Sequence, residues 1–183
     1  METKREENIL EKLQDPSTHQ AGFEMLVSTY SERIYWQIRK MVLSHDDAND
    51  ILQDVFIKAW LNIENFRGDS KLSTWLYRIA INESITFINR KKRQQNISMD
   101  SDDSFLLNTL EGDEFFDGDE AQKLLQQAVL TLPDKQRLVF QMKYFDDMKY
   151  DDISVITGTS VGALKASFHH AVKKVESFLT NSN

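Results

Sequence analysis

From residue 19 to 93, and again from 121 to 180, apolar residues recur at three- and four-residue spacing with little to interrupt them, the pattern of helices that each bury one face. Only six glycines and two prolines are spread over the 183 residues, so helices can run long and stop at few points. This predicts an all-α chain, of a length that suits two small helical domains better than one large one. Residues 94–120 lose the period and are rich in Asp, Ser, Asn and Gly, the composition of a flexible linker. The expected organisation is an N-terminal segment at 1–19, a first domain at 20–93, an acidic linker at 94–120 and a second domain at 121–180.

In the first domain a long helix is expected over His19–Leu43. The next has Ala48, Ile51, Leu52, Val55, Phe56, Ala59, Trp60 and Ile63 on one face and Asp47, Asp50, Gln53 and Asp54 outside. After a loop at Glu64–Ser70 holding Gly68, a third helix runs from about Lys71 to Arg93, with Asp69 or Ser70 as its cap. The second domain reads as helices over Ala121–Leu130, Lys135–Phe145 with Pro133 at the start, Tyr150–Ile156 and Val161–Leu179. Apolar patches inside the linker, Phe105–Leu110 and Phe115–Phe116, imply that it docks somewhere.

Several functions are excluded. Without cysteine there are no disulfides and no thiolate zinc sites, and no apolar run approaches the ~20 residues that span a bilayer. A soluble, cytoplasmic protein with no membrane insertion is expected, since the charged stretch Met1–Gln14 does not resemble a signal peptide. No Ser/His/Asp arrangement, glycine-rich phosphate loop or HExxH motif is present, so neither catalysis nor a cofactor is expected. Asp100, Asp102, Ser104 and Glu111 fall at positions 1, 3, 5 and 12 of a calcium loop, but Phe105 stands where the turn needs glycine. His169 and His170 point to different helix faces, and His19 and His45 have no partner nearby in sequence, so no metal site is expected.

A net charge of −7 argues against a nucleic-acid binder until it is divided along the chain. Residues 61–95 carry seven Lys/Arg against three acids, whereas 96–122 carry nine acids and no Lys/Arg, so the acidity is segregated from the basic segments. In the third helix Lys71, Thr74, Arg78, Asn82, Thr86 and Arg90 form a polar stripe leading into Arg90–Arg93. Trp75 and Tyr77 are interleaved with it and suit stacking on exposed bases, or they belong to the core beneath a solvated face. Near the C-terminus a short helix ends at Gly158, Thr159 and Ser160 make a turn, and Leu164, Phe168, Val172, Val175 and Leu179 give the last helix an apolar stripe. That leaves Ala163, Lys165, Ala166, Ser167, His169, His170, Lys173 and Lys174 facing outward, a set able to enter a major groove and meet phosphates. A generic pair of packed helices is the alternative. Two different nucleic-acid readers on one short chain point to recognition of two separated DNA elements.

Four segments carry a family resemblance: DANDILQDVFIKAW (Asp47 to Trp60), FRGDSKLSTWLYRIAIN (Phe66 to Asn82), LPDKQRLVF (Leu132 to Phe140) and DDISVITGTSVGALKASFHHAVKK (Asp151 to Lys174). Together, and in this order, they resemble the extracytoplasmic function (ECF) group of sigma-70-type factors. The resemblance implies a promoter-specificity subunit of RNA polymerase, with region 2 at 20–93 and a helix-turn-helix region 4 at 121–180. It implies that Asp50, Gln53 and Asp54 dock on the clamp helices of core RNA polymerase, and that region 4 meets the flap. Phe66, Arg67, Gly68, Asp69, Ser70 and Lys71 match the loop that pockets a flipped −10 base, and Trp75, Arg78, Ile79 and Asn82 match the helix beside the melted strand. Lys165, Ala166, Ser167, His169 and His170 match −35 duplex-reading positions, flanked by Lys173 and Lys174. Ser167 and His170 stand where the family often has Arg, which implies an unusual −35 preference, or weaker binding that depends more on pH through His170. An anti-sigma factor is an implied partner, and the acidic linker would suit a basic channel of the polymerase. Competing readings are a free-standing helix-turn-helix regulator that binds duplex DNA as a dimer, and a helical adaptor that binds only protein.

Overall fold

The computed structural model describes residues 2–94, 104–111 and 120–181, and every regular element among them is helical. The α-helices are α1 (Glu2–Gln14), α2 (His19–Val42), α3 (His45–Asn62), α4 (Leu72–Gln94), α5 (Ser104–Glu111), α6 (Glu120–Leu130), α7 (Asp134–Phe140), α8 (Tyr150–Thr157) and α9 (Val161–Asn181). A 3₁₀ turn, Ile63–Asn65, extends α3, and a π-helical turn, Gln141–Phe145, extends α7. The contacts divide the chain into two compact units, residues 1–42 with 46–88 and residues 43–45 with 89–183. That division falls within α4, after Ile88, a few residues before the boundary expected at 93.

The first unit is built on four-residue spacing. Leu26, Tyr30, Ile34 and Ile38 line the buried face of α2, and Ala48, Ile51, Val55 and Ala59 that of α3. Leu72, Leu76 and Ala80 do the same for α4. Phe23 of α2 sits edge-on to Trp60 and Phe56 of α3, with ring centroids 4.9 and 6.5 Å away, and Lys58 of α3 pairs with Glu83 of α4 at 2.5 Å. Trp60, expected wholly inside, is 42% exposed because it lies at the rim of this aromatic cluster.

Residues 2–14, which by sequence are only a charged segment, form a helix seated on α2. Ile9 is fully buried, and at Gly22 the two backbones approach so closely that a Cβ would lie 2.9 Å from the Leu13 nitrogen. The connecting turn is pinned by Thr18, whose hydroxyl donates to the Lys12 carbonyl at 3.0 Å, and by Ser17, whose N–H and hydroxyl both donate to Asp15. Those bonds from Ser17 hold the Asp15 carboxyl below its usual range.

The second unit closes on Ala128, Val129, Leu132, Phe140, Ala171 and Val175, with Phe168 and Val172 packed against them. Part of the expected linker is ordered in it, since Leu106 and Leu110 of α5 are buried and α5 touches α6. The rest of the acidic stretch, including Asp100, Asp102 and the Phe115–Phe116 patch, lies outside the described residues. The helix expected over Lys135–Phe145 changes winding at Gln141. The wider turn stacks Tyr144 on Phe140 at 4.9 Å and sets Phe145 edge-on to the same ring at 6.0 Å.

Gly22→Ala is expected to destabilise the first unit by up to ~2 kcal/mol, because overpacking against backbone costs ~1 to 3 kcal/mol and outweighs the ~1 kcal/mol of helix propensity gained. All three tryptophans, Trp36, Trp60 and Trp75, belong to that unit, so urea unfolding followed by their fluorescence reads the change directly.

Candidate nucleic-acid interface

Three surfaces emerge from these helices. On α3, burial of Ala48, Ile51, Val55 and Ala59 turns Asp50, Gln53 and Asp54 to solvent. The same face continues with Ile57 and Leu61, exposed by 57 and 69%, so two carboxylates lead into branched apolar side chains along one stripe. Sequence reasoning missed Ile57 and Leu61 because it sought apolar residues only for the core. Their spacing of three and seven from Asp54 was the available signal.

The second surface is the loop ahead of α4 and the outer face of that helix. Arg67, Gly68, Asp69 and Lys71 are exposed, and Phe66 and Ser70 are half-buried. Gly68 has φ +76°, a left-handed conformation that side chains with a Cβ resist, so the loop's bend depends on this glycine. Phe66 packs back on the half-buried Trp75, centroids 5.5 Å apart and rings tilted by 56°. Arg78 and Asn82 are exposed, Ile79 is half-buried beside them, and Ile85 and Thr86 continue the face. The only acid on α4, Glu83, is paired with Lys58, which removes its charge from competition with the basic residues.

Two members of the expected basic stripe are elsewhere. Thr74 is buried, with 3% exposure, since its position shares a side of α4 with the buried Ile81 and Ile88, seven and fourteen residues further on. Lys92 is equally buried, with its Nζ 3.9 Å from Asp134, so the run Arg90–Arg93 is not uniformly available to a phosphate. Neither Asp69 nor Ser70 caps α4. The Trp75 N–H bonds to the Lys71 carbonyl, and the Leu72 N–H donates to the carboxylate of Glu6 on α1.

The third surface is α9 within its helix-turn-helix. Gly158 ends α8 at φ +68°, its N–H bonded to the Ser154 carbonyl at 2.9 Å, and Ser160 begins α9 by accepting the Ala163 N–H at 3.4 Å. Leu164, Ala171 and Val175 are buried, which sets the rotation of the helix. Lys165, Ala166, His169, His170, Lys173 and Lys174 are exposed and Ser167 is half-buried, so the residues selected from sequence share the outer side of one helix. No acid lies between residues 153 and 175, which keeps this face positive. Behind it, the ammonium groups of Lys143 and Lys165 stand 5.7 and 5.8 Å from the ring centroid of Tyr150. Lys143 also bonds to Asp147 at 2.8 Å, a hydrogen bond and charge that hold that carboxyl below its usual range.

No described helix is long and apolar enough to cross a membrane. Among the described residues no cluster of three His, Cys, Asp or Glu side chains could hold a metal ion.

Comparison with known proteins places family models on both units. The model of sigma-70 region 2 matches residues 26–94, and that of sigma-70 region 4 matches residues 122–175. The chain is 33% identical over 158 residues to the ECF RNA polymerase sigma factor SigW of Bacillus subtilis, covering 82% of this chain and 84% of the relative. It is 31% identical over 174 residues to the RNA polymerase sigma-H factor of Pseudomonas aeruginosa, with 86% of each chain covered. Among solved structures, the sigma factor RpoE of Bartonella quintana, in complex with the anti-sigma factor NepR, shares the fold. Its TM-score is 0.67 at 21% identity, over 86% of this chain and 96% of that one.

Proposed function

The chain belongs to the extracytoplasmic function group of sigma-70-type RNA polymerase sigma factors, and from that premise we propose how its surfaces divide the work. It directs core RNA polymerase to promoters and starts transcription there. Region 2 is assigned to residues 20–93 and region 4 to 121–180, joined by the acidic segment 94–120. The chain is a specificity subunit working in the cytoplasm, and the chemistry of RNA synthesis belongs to the polymerase. A free-standing dimeric regulator is disfavoured, because residues 26–94 match region 2 and not an unrelated sensing domain.

The observation that carries the assignment is the outer stripe of α3. Asp50, Gln53 and Asp54 offer charge-assisted hydrogen bonds to the basic side chains of a partner helix, and exposed Ile57 and Leu61 offer the apolar centre that a protein interface needs. We assign this stripe to the clamp helices of the polymerase, and region 4 also meets the flap. The loop Phe66–Lys71 and the face of Trp75, Arg78, Ile79 and Asn82 are assigned to the −10 element, read as an extruded, single-stranded segment. Their half-buried aromatics and exposed polar groups suit stacking on, and hydrogen bonding to, an unstacked base. The face from Lys165 to Lys174 is assigned to −35 duplex, where Ala166 permits close approach and the lysines neutralise phosphate. An anti-sigma protein is a further expected partner, since RpoE, which shares the fold, was solved bound to one.

Asp54→Arg and Leu61→Lys are each expected to weaken binding to core polymerase in a pull-down while shifting stability by under ~0.5 kcal/mol, as exposed substitutions usually do. Unchanged binding by both variants would remove the docking role of α3.

Lys165→Ala is expected to weaken holoenzyme binding to −35 duplex and to lower the salt slope of log K by ~0.9, because one phosphate is no longer neutralised. His170→Ala, by contrast, is expected to alter preference among −35 sequences. A uniform loss across all sequences would make His170 a residue that positions the helix and does not read bases.

Asn82→Ala removes an exposed donor and acceptor without touching the core. It is expected to reduce opening of the −10 element in permanganate footprinting while sparing core binding. Wild-type opening with Asn82→Ala and with Arg67→Ala together would place strand separation elsewhere.

A further inference from the structure

We infer that α1 is a positioning element for the loop Phe66–Lys71, and that Glu6 is the residue through which it acts. The inference rests on the assignment of that loop to the −10 strand. Helix α1 lies outside both stretches matched by the family models, which begin at residue 26 and at residue 122.

At the exit of the loop, the first N–H of α4, that of Leu72, donates to the Glu6 carboxylate, an acceptor 66 residues away in sequence. The local candidates do not serve, since the Ser70 hydroxyl is turned to the Lys71 carbonyl at 3.4 Å. A carboxylate there satisfies an otherwise orphaned donor and lies at the positive end of the helix dipole, so it fixes where α4 starts and the loop ends. At the entry, Phe66 lines a cavity of about 540 Å³ together with Leu10 and Leu13 of α1, His19 and Ile63. The ring of Phe66 is held on its other side by Trp75, 5.5 Å away, so the loop is fixed by α4 at its entry and by α1 through Glu6 at its exit. The support itself is firm: Ile9 is fully buried and Gly22 admits α1 at backbone contact distance.

The sign of the effect separates positioning from simple charge. A carboxylate beside a DNA-reading loop repels phosphate, so by electrostatics alone its removal strengthens binding. Positioning predicts the reverse. The test uses full-length protein assembled with core polymerase and fluorescent single strands carrying either the matched −10 sequence or a substitution at the extruded base. The quantity read is the ratio of the two affinities.

Glu6→Ala is expected to reduce that ratio by about 3- to 10-fold, within the range that removal of a helix cap produces. Glu6→Gln, whose amide oxygen still accepts a hydrogen bond, is expected to stay within about 2-fold of wild type. Glu7→Ala removes the same charge from an exposed neighbour on α1 and is expected to leave the ratio unchanged. If Glu6→Ala loses helix content, Glu6→Asp repeats the measurement with a carboxylate one methylene too short to reach Leu72. An unchanged ratio in the folded variant, or tighter binding by both Glu6→Ala and Glu7→Ala, overturns the positioning role while leaving the loop's assignment intact. A wild-type holoenzyme that does not distinguish the two strands removes the loop's assignment, and the role of Glu6 with it.

Discussion

A helix of 3.6 residues per turn cannot bury one face without fixing the direction of every residue on the other, and this chain does all its recognition with those outer faces. In α3 the inward set Ala48, Ile51, Val55 and Ala59 interleaves with the outward set Asp50, Asp54, Ile57 and Leu61. In α9, Leu164, Ala171 and Val175 hold the rotation that presents Lys165, Ser167, His169 and His170 together. Each unit is small enough to have one core, so a change in core packing would turn a recognition face as well as lower stability.

Such faces are legible in sequence because their period is local. The spans of α2, α3, α6, α8 and α9, the glycine stop at Gly158 and the outward residues of α9 all follow from spacing within a few turns. What was not legible depends on partners distant along the chain. The acceptor for the first N–H of α4 sits on a helix far upstream, and nothing around Asp69 or Ser70 signals that they are passed over. Helix α1 does carry a short apolar set at helical spacing, Ile9, Leu10 and Leu13, but charged residues outnumber it and a charge count alone reads the segment as a solvated tail. Thr74 and Lys92 look like members of a solvated stripe by residue type, yet packing takes both inside. The π-helical turn likewise answers to ring stacking among Phe140, Tyr144 and Phe145, which a helical periodicity treats as ordinary.

Net charge describes this molecule poorly. Some acids of the first unit are engaged locally, as Glu83 is by Lys58 and Glu6 by the start of α4, while the recognition helix α9 carries no acid before Glu176. With a screening length of ~8 Å at physiological salt, the charges nearest a phosphate at α9 count most, and on that helix these are Lys165, Lys173 and Lys174.

The placement of Lys165 over Tyr150 bears on how quickly and how selectively that helix can engage. A free lysine samples many rotamers, and freezing them on binding costs up to ~2 kcal/mol. Here the aromatic ring already narrows that distribution before any ligand arrives, with Lys143 on the same ring and itself tethered to Asp147. Part of the ordering is therefore completed during folding, so the ammonium meets its target as a partly preorganised group with less conformational entropy left to lose.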